Sequence, residues 1–198
     1  MSFSPHTPPS RLHVRQGLSL SADAHTAVQE IAAQIVQDHP SLTMVFFSDA
    51  YDHQALCTSL SEQLSGPVIG CTSAGQLTAQ GFQIGGISAL SLASAELQAI
   101  AYLIHPLDKV SVAEQVERIA TDVQQRLQQS NQAAFGLLLV DGLAEREELL
   151  SASLYRALGD VPLMGGSAGD MLKFKQTHVY HQGRLLQNAA VFTLCITS

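Results

Sequence analysis

The sequence predicts an α/β fold of two similar halves, in which mixed sheets are covered by helices. One observation is that short buried-strand patterns alternate with amphipathic helix patterns, which is typical of α/β domains. A second is that the same order of elements occurs twice. The third is the composition: 46% of the 198 residues are hydrophobic and only 14% are charged. Because disordered segments combine low hydrophobicity with high net charge, this composition excludes disorder for most of the chain.

Charge and cysteine usage exclude several classes of protein. The net charge of -7, with 10 Lys and Arg, argues against nucleic-acid binding, which needs a basic surface. No segment approaches the ~20 apolar residues of a membrane span, and the N-terminus lacks the pattern of a secretory signal. Cys57, Cys71 and Cys195 fit neither a disulfide framework nor a zinc site. We therefore expect three small buried side chains and a reducing, cytoplasmic location.

The first half is expected to follow a weakly ordered lead-in over residues 1–20, where Pro5, Pro8 and Pro9 block a helix. Ser21 is the predicted N-cap of an amphipathic helix over about 22–38. The next predicted elements are a buried strand over 42–47 ending at Ser48-Asp49, a helix with Leu56, Leu60 and Leu64 on one face, and a buried strand from Val68-Ile69 into the small-residue segment 70–75.

Two further strand patterns, over 87–92 and 97–104, flank Ser94-Ala95-Glu96 and predict a hairpin. Ser111 and Glu114 have the spacing of a capping box, which predicts the start of a long helix.

The second half repeats this plan. A buried strand over 135–140 ends at Asp141, a helix covers about 145–158, and a Pro-containing strand leads into the glycine-rich segment 165–170. Strand patterns over 177–181 and 189–196 follow, with Gly183 and Asn188 as turn residues. The repeat predicts two halves, about 40–105 and 133–198, within one domain over 21–198.

Three blocks carry the repeat, with one residue gapped before the last of them. They match Phe46-Phe47-Ser48-Asp49 with Leu139-Val140-Asp141, Pro67-Val68-Ile69-Gly70 with Pro162-Leu163-Met164-Gly165, and Ser73-Ala74-Gly75 with Ser167-Ala168-Gly169. Two like halves commonly build a site at their junction, where strand ends converge.

The two glycine-rich segments predict a small-ligand site at that junction. Small residues after a buried strand allow a tight turn whose N–H groups can hold an anion, and hydroxyl and carboxylate groups lie nearby. The alternative is that the glycines only allow positive φ and that each Asp caps the following helix. The candidate ligand-binding residues are Asp49, Gly70, Thr72, Ser73, Gly75, Asp141, Gly165, Gly166, Ser167, Gly169 and Asp170.

Residues 165–169 also match the G-x-S-x-G nucleophile elbow, which leaves open a serine hydrolase with Ser167 as nucleophile. That motif needs a strand, a sharp turn and a helix, with Asp and His further along. Residues 171–176 are short and lead into a strand pattern instead, and the first glycine segment breaks the motif. We therefore favour a protein that is not an enzyme.

His53, His178 and His181 are candidate ligands for haem iron, since a single imidazole can bind it. His178 and His181 are three residues apart on a predicted strand and so lie on opposite faces, which argues against a shared metal site. The sequence lacks a C-x-x-C-H motif for covalent haem attachment.

Together these motifs resemble the FIST N domain over about residues 25–198. The matching segments are Phe46-Phe47-Ser48 with the Asp49/Asp52 helix start, residues 67–75, Val140-Asp141-Gly142 and residues 162–170. The resemblance implies a sensory module of signal transduction that binds a small ligand such as an amino acid. For a bacterial subset it implies haem-based nitric oxide sensing and a partner histidine kinase or cyclic-di-GMP enzyme. It also implies a following FIST C domain, which we expect to be absent here.

Overall fold

The computed structural model describes residues 11–78, 81–107, 112–130 and 132–197, and within these ranges the chain forms two like halves. The first contains β1 (His13–Ser19), α1 (Ala24–Ile35), β2 (Leu42–Phe47), α2 (His53–Gln63), β3 (Val68–Thr72), β4 (Gln76–Thr78), β5 (Gly81–Gln83) and β6 (Ile87–Ala93). The second contains β7 (Leu97–Ile104), α3 (Val112–Ser130), β8 (Ala133–Val140), α4 (Glu147–Leu158), β9 (Leu163–Ser167), β10 (Val179–His181), β11 (Arg184–Leu186) and β12 (Ala190–Thr197).

The elements pack as four layers, with two mixed sheets face to face and helices on both outer sides. One sheet has the order β1-β6-β2-β3-β10-β11, the other β7-β12-β8-β9, and β4 and β5 form a separate two-stranded sheet. A core between α1, α2 and the first sheet includes Ile31, Phe47 and Leu56. The matching core under α3 and α4 includes Leu150 and Phe192. The predicted α/β class with helix-covered mixed sheets is confirmed.

A third core lies between the two sheets and joins the halves. It contains Ile69 of β3, Leu139 of β8 and Val191 of β12, all buried. Each sheet is therefore covered by helices on one face and by the other sheet along part of its other face. In the described ranges, none of the helices has the length and apolar character needed to span a bilayer.

The order of elements repeats along the chain, over longer spans than the sequence indicated. In both halves the order is strand, helix, strand, helix, strand, hairpin, strand, from β1 to β6 and from β7 to β12. The central parallel pairs share a register, since Val45 lies opposite Gly70 and Leu138 opposite Gly165. This order of elements differs from the predicted halves at 40–105 and 133–198, since it places β1 and α1 in the first half and β7 and α3 in the second.

The weakly ordered lead-in expected over residues 1–20 is wrong over His13–Ser19, where the chain forms β1. This strand pairs antiparallel with β6 along its length. This edge strand is polar and mostly exposed, so it is held by the backbone groups of β6 and by bonds from the Arg15 and Ser19 side chains to Val36 and Glu30. Residues 1–10 lie outside the described ranges.

The predicted hairpin around Ser94-Ala95-Glu96 is also wrong. Leu97 N–H donates to the Ser94 carbonyl at 3.4 Å, so the turn exists. However, β6 pairs with β1 and β2, whereas β7 pairs with β12 in the other sheet. The turn carries the chain from one half to the next, because both edges of β6 are taken by strands of its own half.

Helix starts differ locally from their prediction. The N-cap of α1 is Asp23, whose carboxylate accepts from Thr26 N–H at 2.8 Å, rather than Ser21. The apolar faces of α2, α3 and α4 lie where the spacing predicted them, with Leu56, Val116 and Leu150 buried. Ser111 of the predicted capping box lies outside the described ranges.

Candidate functional site

The two glycine-rich segments meet where the parallel strands end. Ser73 N–H donates to the Phe47 carbonyl at 2.8 Å, and Ala168 N–H makes the equivalent bond to Val140 at 2.7 Å. Gly169 N–H then bonds across the halves to the Thr72 carbonyl at 3.0 Å. The junction predicted from the repeat therefore exists, at the carboxyl ends of β3 and β9.

These bonds also correct the repeat alignment. Ser73 and Ala168 make the same bond, so Thr72 rather than Ser73 is the equivalent of Ser167, and the gap is unnecessary. At the other strand pair, Ser48 N–H bonds to Gly86 and Asp141 N–H to Ala189, so Asp141 corresponds to Ser48 rather than to Asp49.

The glycines belong mainly to strands rather than to turns. Gly70 lies in β3, and Gly165 and Gly166 lie in β9. None of the five candidate glycines has a positive φ, so left-handed backbone does not explain them. A Cβ on Gly70 would overlap the Val45 carbonyl oxygen, and one on Gly165 would overlap that of Leu138, because the neighbouring strand passes too closely.

A cavity of about 670 Å³ lies between the sheets beside these strands. Leu163 packs toward the helix-side core and Met164 lies on the opposite face of β9, so by strand alternation Gly166 also faces the cavity. The lining is apolar apart from hydroxyls, and none of the described residues that form it is charged. It consists of Met44, Phe46, Ile69, Cys71, Thr72, Ser73, Ala74, Leu137, Leu138, Leu139, Met164, Gly165, Gly166, Ser167 and Gly169.

Six of the eleven predicted residues thus line the cavity: Thr72, Ser73, Gly165, Gly166, Ser167 and Gly169. The other five do not: Gly70, Gly75, Asp49, Asp141 and Asp170. The apolar lining from Met44, Phe46, Leu137 and Met164 was missed. In the sequence β2 and β8 are continuous apolar runs, so only the sheet arrangement shows which of their side chains face the cavity.

The cavity hydroxyls already have partners within the protein. Thr72 Oγ1 accepts from His178 N–H at 3.1 Å. Ser73 Oγ donates to the Gly75 carbonyl at 2.5 Å, and Ser167 Oγ donates to Glu147 at 3.1 Å. They can still accept hydrogen bonds, but the cavity is mainly an apolar space with a few polar atoms.

Asp141 is buried, and its carboxylate holds three neighbouring segments together. It accepts from Leu143 N–H at 3.1 Å, from the Thr177 hydroxyl and from Asn188 N–H. Helix α4 begins after Arg146, without a side-chain cap, and α2 is capped by Asp52. The alternative that Asp49 and Asp141 cap the following helices is therefore wrong, and Asp141 stabilises the strand ends instead.

Asp170 organises the loop that follows β9. Its carboxylate accepts backbone N–H groups of Phe174 at 3.0 Å, Lys175 at 2.6 Å and Gln176 at 3.2 Å. Burial raises the pKa of Asp170, but the N–H groups of residues 173–176 outweigh it and hold that pKa below the ordinary value. Within this loop Met171, Leu172 and Phe174 adopt positive φ, a costly conformation for such side chains.

Asp49 forms an ion pair with Lys173 from the same loop, with Nζ to Oδ2 at 2.9 Å. The pair ties the Asp170 loop to the end of β2. This places Asp49 beside the junction but directs its carboxylate to the lysine.

Ser167 lacks the geometry of a nucleophile elbow. It lies within β9 at an ordinary φ, and a loop rather than a helix follows the strand. Its hydroxyl bonds to a glutamate, whereas the elbow needs a histidine base.

The candidate haem ligands lie away from the apolar cavity. His53 and His178 meet edge to face with ring centroids 4.4 Å apart, beside a separate groove of about 570 Å³ that is lined by polar side chains together with Leu185 and Leu186. Burial and the neighbouring His53 lower the pKa of His178, partly opposed by Asp141 and Asp49. His181 lines another groove. Within the described ranges, no cluster of three His, Cys, Asp or Glu side chains is arranged to hold a metal ion.

All three cysteines are free thiols, Cys71 and Cys195 buried and Cys57 half-buried. Burial raises the pKa of Cys71 to about 12 and that of Cys195 to about 11. Both behave as small apolar side chains, as the sequence predicted.

The structure is thus a doubled α/β fold with a cavity at the junction of its halves. The FIST N domain family matches residues 41–198, and the chain belongs to this family. It is therefore a sensory domain of signal transduction. A comparison with curated proteins finds no match.

Proposed function

We propose that this sensory domain binds a small, mainly apolar molecule in the cavity between its two sheets. The observation that carries the proposal is the cavity itself, about 670 Å³ in volume and lined by both glycine-rich strands. Ligand sites typically measure ~300–1,000 Å³ and are apolar with a few polar groups that orient the ligand. The family resemblance implies an amino acid or a similar small molecule, and the cavity favours those with an apolar side chain.

The polar end of the ligand would lie beside Thr72, Ser73 and Ser167, which are among the residues that line the cavity. Asp49, Asp141 and Asp170 are engaged with protein groups, so we do not assign them to the ligand. The bound ligand would regulate a signalling partner, for which the family resemblance implies a histidine kinase or a cyclic-di-GMP enzyme. We expect the protein to act in the cytoplasm.

A thermal-shift screen of apolar amino acids and related small molecules tests the proposal. A ligand that binds only the folded state raises the melting temperature by mass action. Gly166→Leu is the blocking variant, because a Cβ at Gly166 meets nothing within 4 Å and the side chain would extend into the cavity. The shift should disappear in Gly166→Leu and persist in Ala152→Leu, a matched change on the exposed face of α4.

Haem is less well supported as the ligand. The apolar cavity has no histidine in its lining, and the groove that contains His53 and His178 is lined by polar side chains such as Glu62 and Arg184. In that groove the two imidazoles lie beside a mixed surface, whose apolar part includes Leu185 and Leu186. A Soret band at stoichiometric haem that His178→Ala abolishes would favour haem over our proposal.

Hydrolysis by Ser167 predicts a different result. A fluorophosphonate probe labels an activated serine, and we expect no labelling at Ser167, because its hydroxyl bonds to Glu147 and lacks a histidine base.

A further inference from the structure

The edge of β9 is uncovered, although the equivalent edge in the first half is paired. In the repeat, Ile69, Gly70, Cys71 and Thr72 of β3 correspond to the last four residues of β9. All four β3 residues are buried, whereas Met164, Gly165, Gly166 and Ser167 are all exposed. Ile69 is 0% exposed and Met164 is 55% exposed.

The difference arises from the β10–β11 hairpin. Strand β10 of the second half adds antiparallel to β3 of the first half, with Tyr180 opposite Gly70 and His181 opposite Ile69. In the described ranges, β9 has a ladder only with β8. An open strand edge presents backbone donors and acceptors that readily accept another strand.

The first half has a hairpin of the same size in the same topological place. Strands β4 and β5 have three residues each, as do β10 and β11, and two residues join the strands in both hairpins. Gln83 precedes Ile87 of β6 by the same spacing as Leu186 precedes Ala190 of β12. Leu77 therefore corresponds to Tyr180, yet Leu77 is 86% exposed and Tyr180 is 2% exposed.

The β4–β5 hairpin is held away from β9 of its own chain. Ser88 Oγ of β6 donates to the buried Gln76 side chain at 2.6 Å, and Gly75 packs directly against the Phe82 ring. The link 73–75 is short, and Ser73 bonds to both backbone groups of Gly75. The second-half hairpin instead reaches β3 through the much longer link 168–178.

We propose that the open edge of β9 binds the β4–β5 hairpin of a second copy of this chain, with Leu77 opposite Gly165 and Thr78 opposite Met164. The internal pairing of β10 with β3 supplies both the register and the geometry. Each copy has one hairpin and one open edge, so a reciprocal exchange between two copies would close as a two-fold dimer. Apolar Leu77 and Phe82 of one copy would then be covered by the other.

Sedimentation of the full chain without ligand tests this. We expect a monomer–dimer equilibrium, and we expect Met164→Lys, which puts a charge on the edge strand, to weaken the dimer at least tenfold. The control is Leu149→Lys, an exposed apolar residue of α4 that should leave the dimer intact. A monomer at all concentrations, or equal weakening by both variants, would overturn the proposal.

Cysteine cross-linking tests the register. Thr78 and Met164 would form the pair equivalent to His181 and Ile69, and directly opposite residues of an antiparallel pair lie at Cα distances that a disulfide can span. Mixing Thr78→Cys with Met164→Cys should give a cross-linked dimer that neither variant forms alone. A monomeric internal disulfide in the double variant would show pairing within one chain and overturn the exchange between copies. Neither outcome depends on the small-molecule ligand.

Discussion

At the residue scale, two adjacent glycines of β9 have different physical roles. Gly165 lies where the carbonyl of Leu138 leaves no room for a Cβ, whereas Gly166 faces open space in the cavity. One glycine allows the two parallel strands to approach, and the other leaves volume for a ligand. A run of glycines in a sequence therefore indicates close approach or open space, and only the neighbouring strand decides which.

Alanine at each position separates these roles. Gly165→Ala should lower the free energy of unfolding by about 1–3 kcal/mol or more, because the Leu138 backbone must move. Gly166→Ala should leave that free energy unchanged or raise it by about 0.5 kcal/mol, because alanine loses less conformational entropy than glycine when the strand folds. Urea denaturation measures both, and equal losses in the two variants would contradict the assignment.

Asp170 should make stability depend on pH in acid. Its pKa in the folded protein is lowered by backbone N–H groups that outweigh burial. Its contribution is therefore present above the unfolded pKa and lost as the pH falls through the folded value. The difference in unfolding free energy between the protein and Asp170→Asn should stay constant above about pH 5 and shrink below about pH 4.

Urea denaturation from pH 3 to pH 7 measures this difference, with exposed Asp160→Asn as the control. A difference that disappears between pH 5 and pH 7 would contradict the role of the Asp170 carboxylate, because that range lies above both of its pKa values.

The carboxylates also show what residue patterns can predict. Their position near strand ends was correct for Asp49 and Asp141, since Asp141 directly follows β8 and only Ser48 separates Asp49 from β2. Their bonding was not predictable, because Asp141 accepts from residues 177 and 188, far along the chain. Local spacing contains no information about such partners.

At the element scale, the β10–β11 hairpin connects the halves. It comes from the second half, yet Tyr180 packs in the core under α1 and α2 of the first. Tyr180→Ala should therefore cost about 3–5 kcal/mol of unfolding free energy, as expected for a large buried aromatic side chain. Tyr155→Ala, at a 73% exposed residue of α4, should change it by less than about 0.5 kcal/mol.

Thermal and urea unfolding of the two tyrosine variants check this expectation. If Tyr180→Ala were as stable as Tyr155→Ala, the β10–β11 hairpin would not stabilise the first half, which would contradict its pairing with β3.

Elements with their own apolar pattern were predicted well, and elements that depend on a partner were not. Helices α2 and α4 have leucines at helical spacing, and their buried faces follow that spacing. Strand β1 is polar and is ordered by β6. The turn at 94–96 was predicted correctly. Whether β6 and β7 pair with each other depends on β1, β2 and β12, the strands that pair with them instead.

At the scale of the whole molecule, the repeat determines where the cavity forms. Two equivalent halves place the carboxyl ends of β3 and β9 together, and Gly169 N–H bonds to Thr72 across the junction at 3.0 Å. Matching blocks in the sequence predicted this meeting point. The sequence did not reveal that the space there is apolar, because that follows from two sheets packing face to face.

We propose that a ligand occupies the space between the sheets, and the methionine side chains allow its position to be measured directly. Met44 and Met164 line the cavity, whereas Met171 lies in the following loop and does not. Methyl-labelled methionine can be assigned by replacing each with leucine. On titration with an apolar amino acid or other molecule found in the screen, we expect the Met44 and Met164 methyl signals to shift together and the Met171 signal to stay unchanged. A ligand that binds while the Met44 and Met164 signals stay unchanged would contradict binding between the sheets.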